Sequence, residues 1–139
     1  MNRVVVDAGP LVAMLSKRDS RHEACIAAVH GLPTPMLTCW PVIVEAAWLL
    51  RREPHLVQTL LRLHDQEAIQ VVELGTECLA WCAQFLERYK DLPAEVADAA
   101  LVYLAEQEGI DTVFTLDQRD FSVYRMAKNR KFQLVPLAP

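Results

Sequence analysis

The sequence lacks any apolar run long enough to cross a lipid bilayer. Its longest strictly apolar stretches fall far short of the ~18–20 residues that a membrane-spanning helix needs. The chain opens with MNRVVVDAGPLVAML, in which Asp7 interrupts the apolar stretch and no small-residue cleavage site follows a basic head. We therefore expect no membrane association and no secretory signal, and we expect a cytoplasmic protein.

An excess of positive charge is also missing. The 139 residues include 14 Lys and Arg against 18 Asp and Glu, which gives a net charge of −4. Strongly basic nucleic-acid binders do not have this balance. Contact with nucleic acid would therefore require a local basic patch, a bound metal ion or both.

The cysteines do not form a familiar metal or redox motif. Four occur, with no C-x-x-C pair, at positions 25, 39, 78 and 82. Cys78 and Cys82 lie one helical turn apart, and a zinc or redox site with His22 or His30 is one interpretation of them. Their spacing matches no zinc pattern, so the pattern favours reduced thiols that act as small apolar residues in a core.

What the chain does have is enough apolar residues for a core. Hydrophobic residues make up 53% of it, against ~45–50% in typical globular domains, which excludes a disordered chain. We expect a single domain over residues 1–139, with its core over about 3–136. The surplus of apolar residues predicts that some surface is covered by a partner chain.

Candidate strands alternate with candidate helices almost throughout. The apolar runs predict short strands at residues 3–6, 36–39, 68–72, 112–116 and 132–135. Helical periodicity, proline starts and capping residues predict helices at about 10–16, 20–29, 41–52, 54–66, 76–89 and 93–109. This alternation predicts an α/β fold with a mainly parallel sheet.

Four carboxylates lie either directly after a strand or in otherwise uncharged surroundings. Asp7 follows the first strand and Asp117 the fourth, whereas Glu45 and Asp98 each lie about one turn inside a helix. The strand ends and the starts of these helices meet at the carboxyl edge of a parallel sheet, where ligands bind in such folds. We therefore expect the four side chains to converge at this edge.

Each acid also has a purely structural interpretation. Asp7 and Asp117 can cap the helix or turn that follows. Glu45 and Asp98 can pair with a base in the core, although Asp98 has no basic residue within seven positions on either side. Buried acids without partners are costly, so these two require a cation or strong hydrogen-bond donors. Considered jointly, the four favour a functional site.

Converging carboxylates predict a hard divalent cation. Mg²⁺ or Mn²⁺ fits better than zinc because no His or Cys accompanies the acids. Such a site suits hydrolysis of phosphodiester bonds, in which the metal activates a water or stabilises the leaving oxygen. The acidic net charge is then no obstacle, since the metal bridges protein and phosphate.

A basic stretch follows Asp117. It contains one acidic residue, Asp120, and five basic residues: Arg119, Arg125, Lys128, Arg130 and Lys131. The stretch can hold a phosphate backbone, and a solvated surface segment is an equally good interpretation. We interpret Phe121 and Tyr124 as packing residues, and the tryptophans at 40, 48 and 81 as core or interface residues.

The four acids lie in four sequence blocks: VVVDAGPLVAML, WPVIVEAAWLL, DLPAEVADAALVYLAE and FTLDQRDF. In their order and compatible spacing these blocks resemble the PIN-domain ribonucleases, and most closely the VapC-type toxins of bacterial and archaeal toxin–antitoxin pairs. The resemblance spans nearly the whole chain. No single block is decisive, but four in order are fairly specific.

The resemblance implies a five-stranded parallel sheet flanked by helices and a Mg²⁺-dependent site, or one served by Mn²⁺, that cuts RNA. It implies Asp7 and Asp98 as the main metal ligands, completed by Glu45 and Asp117, with Asp120 as a nearby substitute for Asp117. It also implies a homodimer and a small antitoxin protein that blocks the site. The candidate substrate contacts are Thr115, Arg119, Arg125 and Lys128.

Two classes of function remain open at this point. The first is a metal-dependent endoribonuclease that acts as a toxin, for which Asp98→Asn removes cleavage. The second is a non-catalytic PIN-like module that binds RNA or a partner protein, for which binding survives EDTA and no turnover occurs. The RNA target, the number of metal ions and the carboxylate that activates water, Glu45 or Asp117, also stay open.

Overall fold

A five-stranded parallel sheet lies at the centre of the structure, a computed structural model that describes residues 3–136. The sheet has the order β3-β2-β1-β4-β7, and all its neighbouring strands are parallel. The two remaining strands, β5 and β6, form a separate antiparallel hairpin. In chain order the strands are β1 (Val5–Val6), β2 (Met36–Thr38), β3 (Ile69–Val71), β4 (Thr112–Phe114), β5 (Arg125–Met126), β6 (Arg130–Lys131) and β7 (Gln133–Val135).

Helices flank this sheet, as expected for parallel strands joined by crossovers. The described residues form α1 (Ala8–Leu15), α2 (His22–Val29), α3 (Trp40–Leu49), α4 (Pro54–Arg62), α5 (Glu77–Arg88), α6 (Val96–Glu108) and α7 (Gln118–Phe121). Helix α6 lies deepest, with nine consecutive buried residues, 97–105, and it packs against α3, α5 and β1. Within residues 3–136 no helix combines the length and apolarity that spanning a membrane would need.

The predicted α/β architecture is confirmed. Each of the five predicted strands contains one strand of the parallel sheet, and each of the six predicted helices is present. The predicted stop of α6 is also correct, because Gly109 adopts the left-handed backbone (φ 66°) that ends a helix.

Three predicted helix starts are wrong by two or three residues. Helix α2 begins at His22 with Arg21 as its N-cap, not at residue 20. Helix α1 begins at Ala8 with Asp7 as its N-cap, not at Pro10. Helix α6 begins at Val96 with Glu95 as its N-cap, and residues 91–93 form a turn in place of the predicted start at Pro93. Proline suits a turn as well as a first helical turn, so its position alone did not fix the boundary.

The segment between β4 and β7 contains elements that the sequence did not predict. These are α7 and the β5–β6 hairpin, whose tip places Lys128 and Asn129 in the left-handed region (φ 62° and 59°). Four-residue and two-residue elements are too short to give a periodic apolar pattern. The basic stretch is therefore folded into a short helix and a hairpin.

The strand order explains where a site can form. From β1 the chain proceeds through β2 and β3 on one side, and it returns on the other side through β4 and β7. The order reverses between β1 and β4, and a crevice opens beyond the carboxyl ends of strands at such a point. Asp7 follows β1 directly, and its backbone N–H donates to the carbonyl of Phe114 in β4 (2.9 Å).

Candidate metal centre at the carboxyl edge of the sheet

A cleft of about 380 Å³ opens at this reversal of strand order. Six carboxylates line it, and no Lys or Arg of the described chain is among the lining residues. The four acids expected from the sequence are all brought together here, with two further acids beside them. The six are Asp7, Glu45, Glu95, Asp98, Asp117 and Asp120.

Asp7 is held at the base of the cleft by two hydrogen bonds. Its side chain is buried (6% exposed). Oδ1 accepts from the backbone N–H of Ala8 (2.8 Å), which makes Asp7 the N-cap of α1, and Oδ2 accepts from the hydroxyl of Thr115 (2.9 Å). Burial raises the pKa of this carboxyl, and the two hydrogen bonds oppose the rise.

Thr115 links two of the acids. Its hydroxyl donates to Asp7 and accepts from the backbone N–H of Asp117 (3.0 Å). The residue is fully buried at the end of β4. The buried Thr115 hydroxyl therefore fixes Asp7, which follows β1, relative to Asp117, which follows β4.

Asp98 lies in the first turn of α6 and is nearly as buried as Asp7 (8% exposed). Oδ2 accepts a hydrogen bond from the hydroxyl of Tyr124 (2.8 Å). Burial raises the pKa of Asp98 to about 7; the Tyr124 hydrogen bond lowers it, and the charges of Asp7 and Asp117 raise it further. The start of a helix favours a carboxylate there, because the helix dipole is positive at this end.

Asp117 and Asp120 lie at the start of the short helix α7. Asp117 is its N-cap and accepts a long hydrogen bond from the backbone N–H of Asp120 (3.4 Å). One carboxylate oxygen from each of Asp98, Asp117 and Asp120 lies within 4.8 Å of the others. Burial raises the pKa of Asp117; the hydrogen bond from the backbone N–H of Asp120 opposes the rise, and the charge of the Asp120 carboxylate adds to it.

Glu45 reaches the cleft from α3 and faces Glu95, the N-cap of α6. Burial raises the pKa of Glu45 to about 8, and the adjoining carboxyl of Glu95 and the charge of Asp7 contribute to the rise. The neighbouring negative charges repel a charge on Glu45, which favours its protonated form.

Of the two purely structural roles considered for these acids, helix capping is present and pairing with a basic residue is not found among the described residues. Asp7 and Asp117 do cap helices, while their carboxylates also line the cleft. Among residues 3–136 the ion pairs join Arg3 to Glu108 and Lys90 to Glu87, so neither Glu45 nor Asp98 is paired with a base. Capping and lining a cleft are compatible because each carboxylate has two oxygens.

The predicted substrate contacts occupy different surroundings. Arg119 is exposed on α7, next to the acids, and Lys128 is exposed at the hairpin tip. Arg125 is half-buried, and its Nη1 donates to the carbonyls of residues 122, 123 and 124 (2.7–3.0 Å). Thr115 has no exposed surface.

Sequence reasoning missed Glu95 and the role of Tyr124, and it treated Asp120 only as a substitute for Asp117. Glu95 precedes Asp98 by three residues, a spacing that places both on one side of the start of a helix. Tyr124 packs in the core as expected, but the sequence offers no signal that its hydroxyl reaches Asp98. Asp120 lies one turn after Asp117 and joins it in the cleft.

An all-oxygen donor set without a nearby base is suited to a hard divalent cation. The geometry thus defines an α/β protein with a carboxylate cleft at the switch point of a parallel sheet. The PIN domain family model matches residues 4–128. The chain belongs to the PIN domain family.

Similar proteins agree with this assignment. The chain is 24% identical over 135 residues to Ribonuclease VapC26 of Mycobacterium tuberculosis, covering 96% of this chain and 100% of that protein. The crystal structure of VapC20 of M. tuberculosis, a sarcin-ricin loop cleaving toxin, superposes with a TM-score of 0.74 at 17% identity over 79% of this chain and 86% of that one. A chain of a toxin–antitoxin complex from Klebsiella pneumoniae gives 0.68 at 13% identity over 94% and 100%. At these identities the solved structures establish a common fold.

Proposed function

We propose that this chain is a metal-dependent endoribonuclease of the VapC type, which hydrolyses phosphodiester bonds in RNA as the toxin of a toxin–antitoxin pair. The observation that carries the proposal is the cluster of Asp98, Asp117 and Asp120 oxygens within 4.8 Å of one another, in a cleft that no Lys or Arg of residues 3–136 lines. The similarity to a protein named as a ribonuclease supports the same reaction class.

The donor set fits Mg²⁺ or Mn²⁺. Both ions prefer carboxylate oxygens, and Mg²⁺ sites commonly use one or two carboxylates and retain several waters. We assign Asp98, Asp117 and Asp120, together with Asp7, to hold the ion, with Glu45 completing the site. When bound, such an ion supplies Lewis-acid activation of water and neutralises charge on the phosphate.

The buried residues of the cleft orient these carboxylates. Asp7 is fixed by the Ala8 N–H and by Thr115, and Thr115 also fixes the backbone of Asp117. We therefore assign Thr115 a positioning role in place of direct contact with RNA. Groups held by buried hydrogen bonds need little reorganisation when the substrate arrives.

Glu45 is the candidate proton acceptor. In the hydrolysis, a water oxygen bonds to phosphorus as the bond to the leaving oxygen breaks; the water's proton goes to a base, and the leaving oxygen takes up a proton to become a hydroxyl. With its pKa raised to about 8 by burial and by neighbouring carboxyls, Glu45 is suited to accept a proton near neutral pH and release it afterwards. Asp117 is the alternative acceptor.

The RNA backbone would approach over α7 and the hairpin. Arg119 is exposed beside Asp117 and Asp120, and Lys128 extends the positive surface. Exposed Arg and Lys side chains of this kind neutralise phosphates without recognising the nucleotide sequence. Arg125 contributes mainly by its hydrogen bonds to the backbone of residues 122–124, which shape this segment.

An antitoxin and a second copy of the chain are the proposed protein partners. One structural neighbour is a toxin–antitoxin complex, which supports an antitoxin that covers the cleft. On α3, Trp40 and Trp48 are 61% and 63% exposed and Val44 is half exposed between them. These side chains are not core residues, and we propose that this face contributes to a homodimer.

The direct test is cleavage of total cellular RNA by the purified protein, free of antitoxin, with Mg²⁺, with Mn²⁺ and with EDTA. Asp98→Asn is expected to lower the rate by about 100-fold or more, since loss of even an outer partner of a metal ligand costs roughly 10–100-fold. Asp65→Asn makes the same chemical change at an exposed position outside the cleft and should cleave at the wild-type rate.

Discrete fragments that require the metal and disappear with Asp98→Asn would support the nuclease. RNA or partner binding that survives EDTA, with no turnover by a folded protein, would instead favour the non-catalytic binding module. Fragments that persist at the wild-type rate with Asp98→Asn would contradict the proposed site.

A further inference from the structure

The hydroxyl of Tyr124 contacts one of the cleft acids from the segment that precedes the hairpin. It donates to Oδ2 of Asp98 at 2.8 Å. The contact joins residues 26 positions apart in the chain, one in α6 and one just before β5. The residue therefore connects the hairpin segment to the candidate metal centre.

Aromatic packing fixes the position of this hydroxyl. Tyr124 is fully buried. Its ring contacts those of Phe85, Tyr89 and Phe121 with centroid separations of 5.0, 5.1 and 5.0 Å, at interplanar angles of 60–80°. Full burial and contacts with three rings leave the phenol little freedom to turn, so the hydroxyl is a rigid donor.

A rigid donor on one oxygen determines the orientation of the carboxylate. With Oδ2 engaged by Tyr124, Oδ1 is the oxygen that remains without a hydrogen bond from residues 3–136, and Asp98 lines the cleft beside Asp117 and Asp120. Repulsion from those two acids would otherwise favour rotation of the Asp98 carboxylate away from them. Hydrogen bonds from outer groups orient metal ligands in this way.

We propose that Tyr124 is a positioning residue, whose hydroxyl holds the Asp98 carboxylate in the orientation that receives a divalent cation. The inference rests on the proposed metal-dependent function. It predicts that removing the hydroxyl weakens cation binding even though the ring, and with it the aromatic packing, is retained.

The chain offers a matched control in the same aromatic cluster. Tyr89 packs against both Phe85 (4.7 Å) and Tyr124 (5.1 Å), and its hydroxyl accepts from the backbone N–H of Arg125 (3.0 Å), not from an acid. Tyr124→Phe and Tyr89→Phe thus each delete one hydroxyl from the cluster. Only the first deletion removes a hydrogen bond to the cleft.

The test is a Mn²⁺ titration followed by electron paramagnetic resonance of the free ion, with the melting temperature of each metal-free variant as the measure of folding. Tyr124→Phe is expected to weaken Mn²⁺ binding by about 10-fold or more, and Tyr89→Phe to leave it unchanged. In cleavage assays, the Mg²⁺ concentration for half-maximal rate should rise with Tyr124→Phe, while the rate at saturating Mg²⁺ recovers most of its wild-type value.

Wild-type affinity in Tyr124→Phe would overturn the inference and leave the proposed function intact. An equal loss of affinity in both variants would also overturn it, because the effect would then come from the aromatic packing. Absence of Mn²⁺ binding by the wild-type protein would overturn the proposed metal centre itself, and the inference with it.

Discussion

The cleft acids and the buried cysteines are two groups of titratable side chains in one small protein. Burial affects the charge of each group differently at physiological pH. Desolvation raises the pKa of both groups: to about 7 for Asp98, and to about 12 for Cys39 and Cys82. A thiol with a raised pKa is simply neutral at physiological pH. A carboxyl with a pKa near 7 lies at the boundary between its neutral and its charged form.

The two groups also differ in the hydrogen bonds that their side chains receive. Cys78 and Cys82 are buried in α5 with their sulfurs 3.5 Å apart, and the described thiols are free. The carboxylates instead receive hydrogen bonds from a backbone N–H, a threonine and a tyrosine. Oriented, mutually repelling charges therefore distinguish a functional site from buried groups that only fill space.

The largest expected effect is the loss of metal binding and RNA cleavage when cleft acids are replaced, because the acids require a cation and the thiols do not. The double variant Asp117→Asn with Asp120→Asn removes two of the three clustered ligands, so we expect loss of measurable Mn²⁺ binding and a fall in RNA cleavage of about 100-fold or more. Titration calorimetry and the cleavage assay measure these. Binding at wild-type affinity would show that the ion lies elsewhere.

The pH dependence of stability is the next largest effect. The folded pKa values of Asp98 and Glu45, about 7 and about 8, exceed their ordinary values of 3.8 and 4.5. The folded protein therefore binds more protons than the unfolded chain between roughly pH 4 and 8. In EDTA, we expect the free energy of unfolding to fall as pH rises through this window and then level off.

Thermal melting at a series of pH values checks this expectation. Saturating Mg²⁺ should oppose the fall, because the ion binds the deprotonated carboxylates. Asp98→Asn should make the metal-free profile flatter, whereas Asp65→Asn should reproduce the wild-type slope. A metal-free stability that rises across the window would contradict the pKa directions.

Removal of a buried thiol is expected to have the smallest effect. Cys82→Ala leaves a small void in the core, for which we expect a loss of about 1 kcal/mol of stability. Because the thiol is neutral from pH 5 to 8, the loss should be the same across that range, and Mn²⁺ affinity and cleavage should not change. Chemical denaturation at pH 5 and 8 measures the first point. A changed Mn²⁺ affinity would mean that the two groups are coupled.

Much of the fold and most of the cleft could be predicted from the sequence, for identifiable reasons. Apolar β-branched runs such as VVV mark buried strands, and acids at strand ends of a parallel sheet must converge. The start of α6 was predicted less well, since Pro93 lies in a turn and Glu95 caps the helix. Glu95 was missed for the same reason.

Other features depend on contacts between distant parts of the chain. The Tyr124–Asp98 hydrogen bond joins two segments whose relative position only the folded hairpin determines. The buried state of Thr115 and the engagement of Arg125 with backbone carbonyls likewise follow from tertiary packing. For both residues the sequence-based expectation was a contact with substrate, and we now propose a positioning role in its place.

The proposed metal centre is tested most directly by a crystal structure of the protein grown with Mn²⁺, with diffraction recorded at the manganese absorption edge. We expect an anomalous peak in the acidic cleft, within reach of the oxygens of Asp98, Asp117 and Asp120, that is absent from crystals of Asp98→Asn. A cleft without a peak at saturating Mn²⁺, or a peak bound only elsewhere on the protein, would contradict the proposed metal centre.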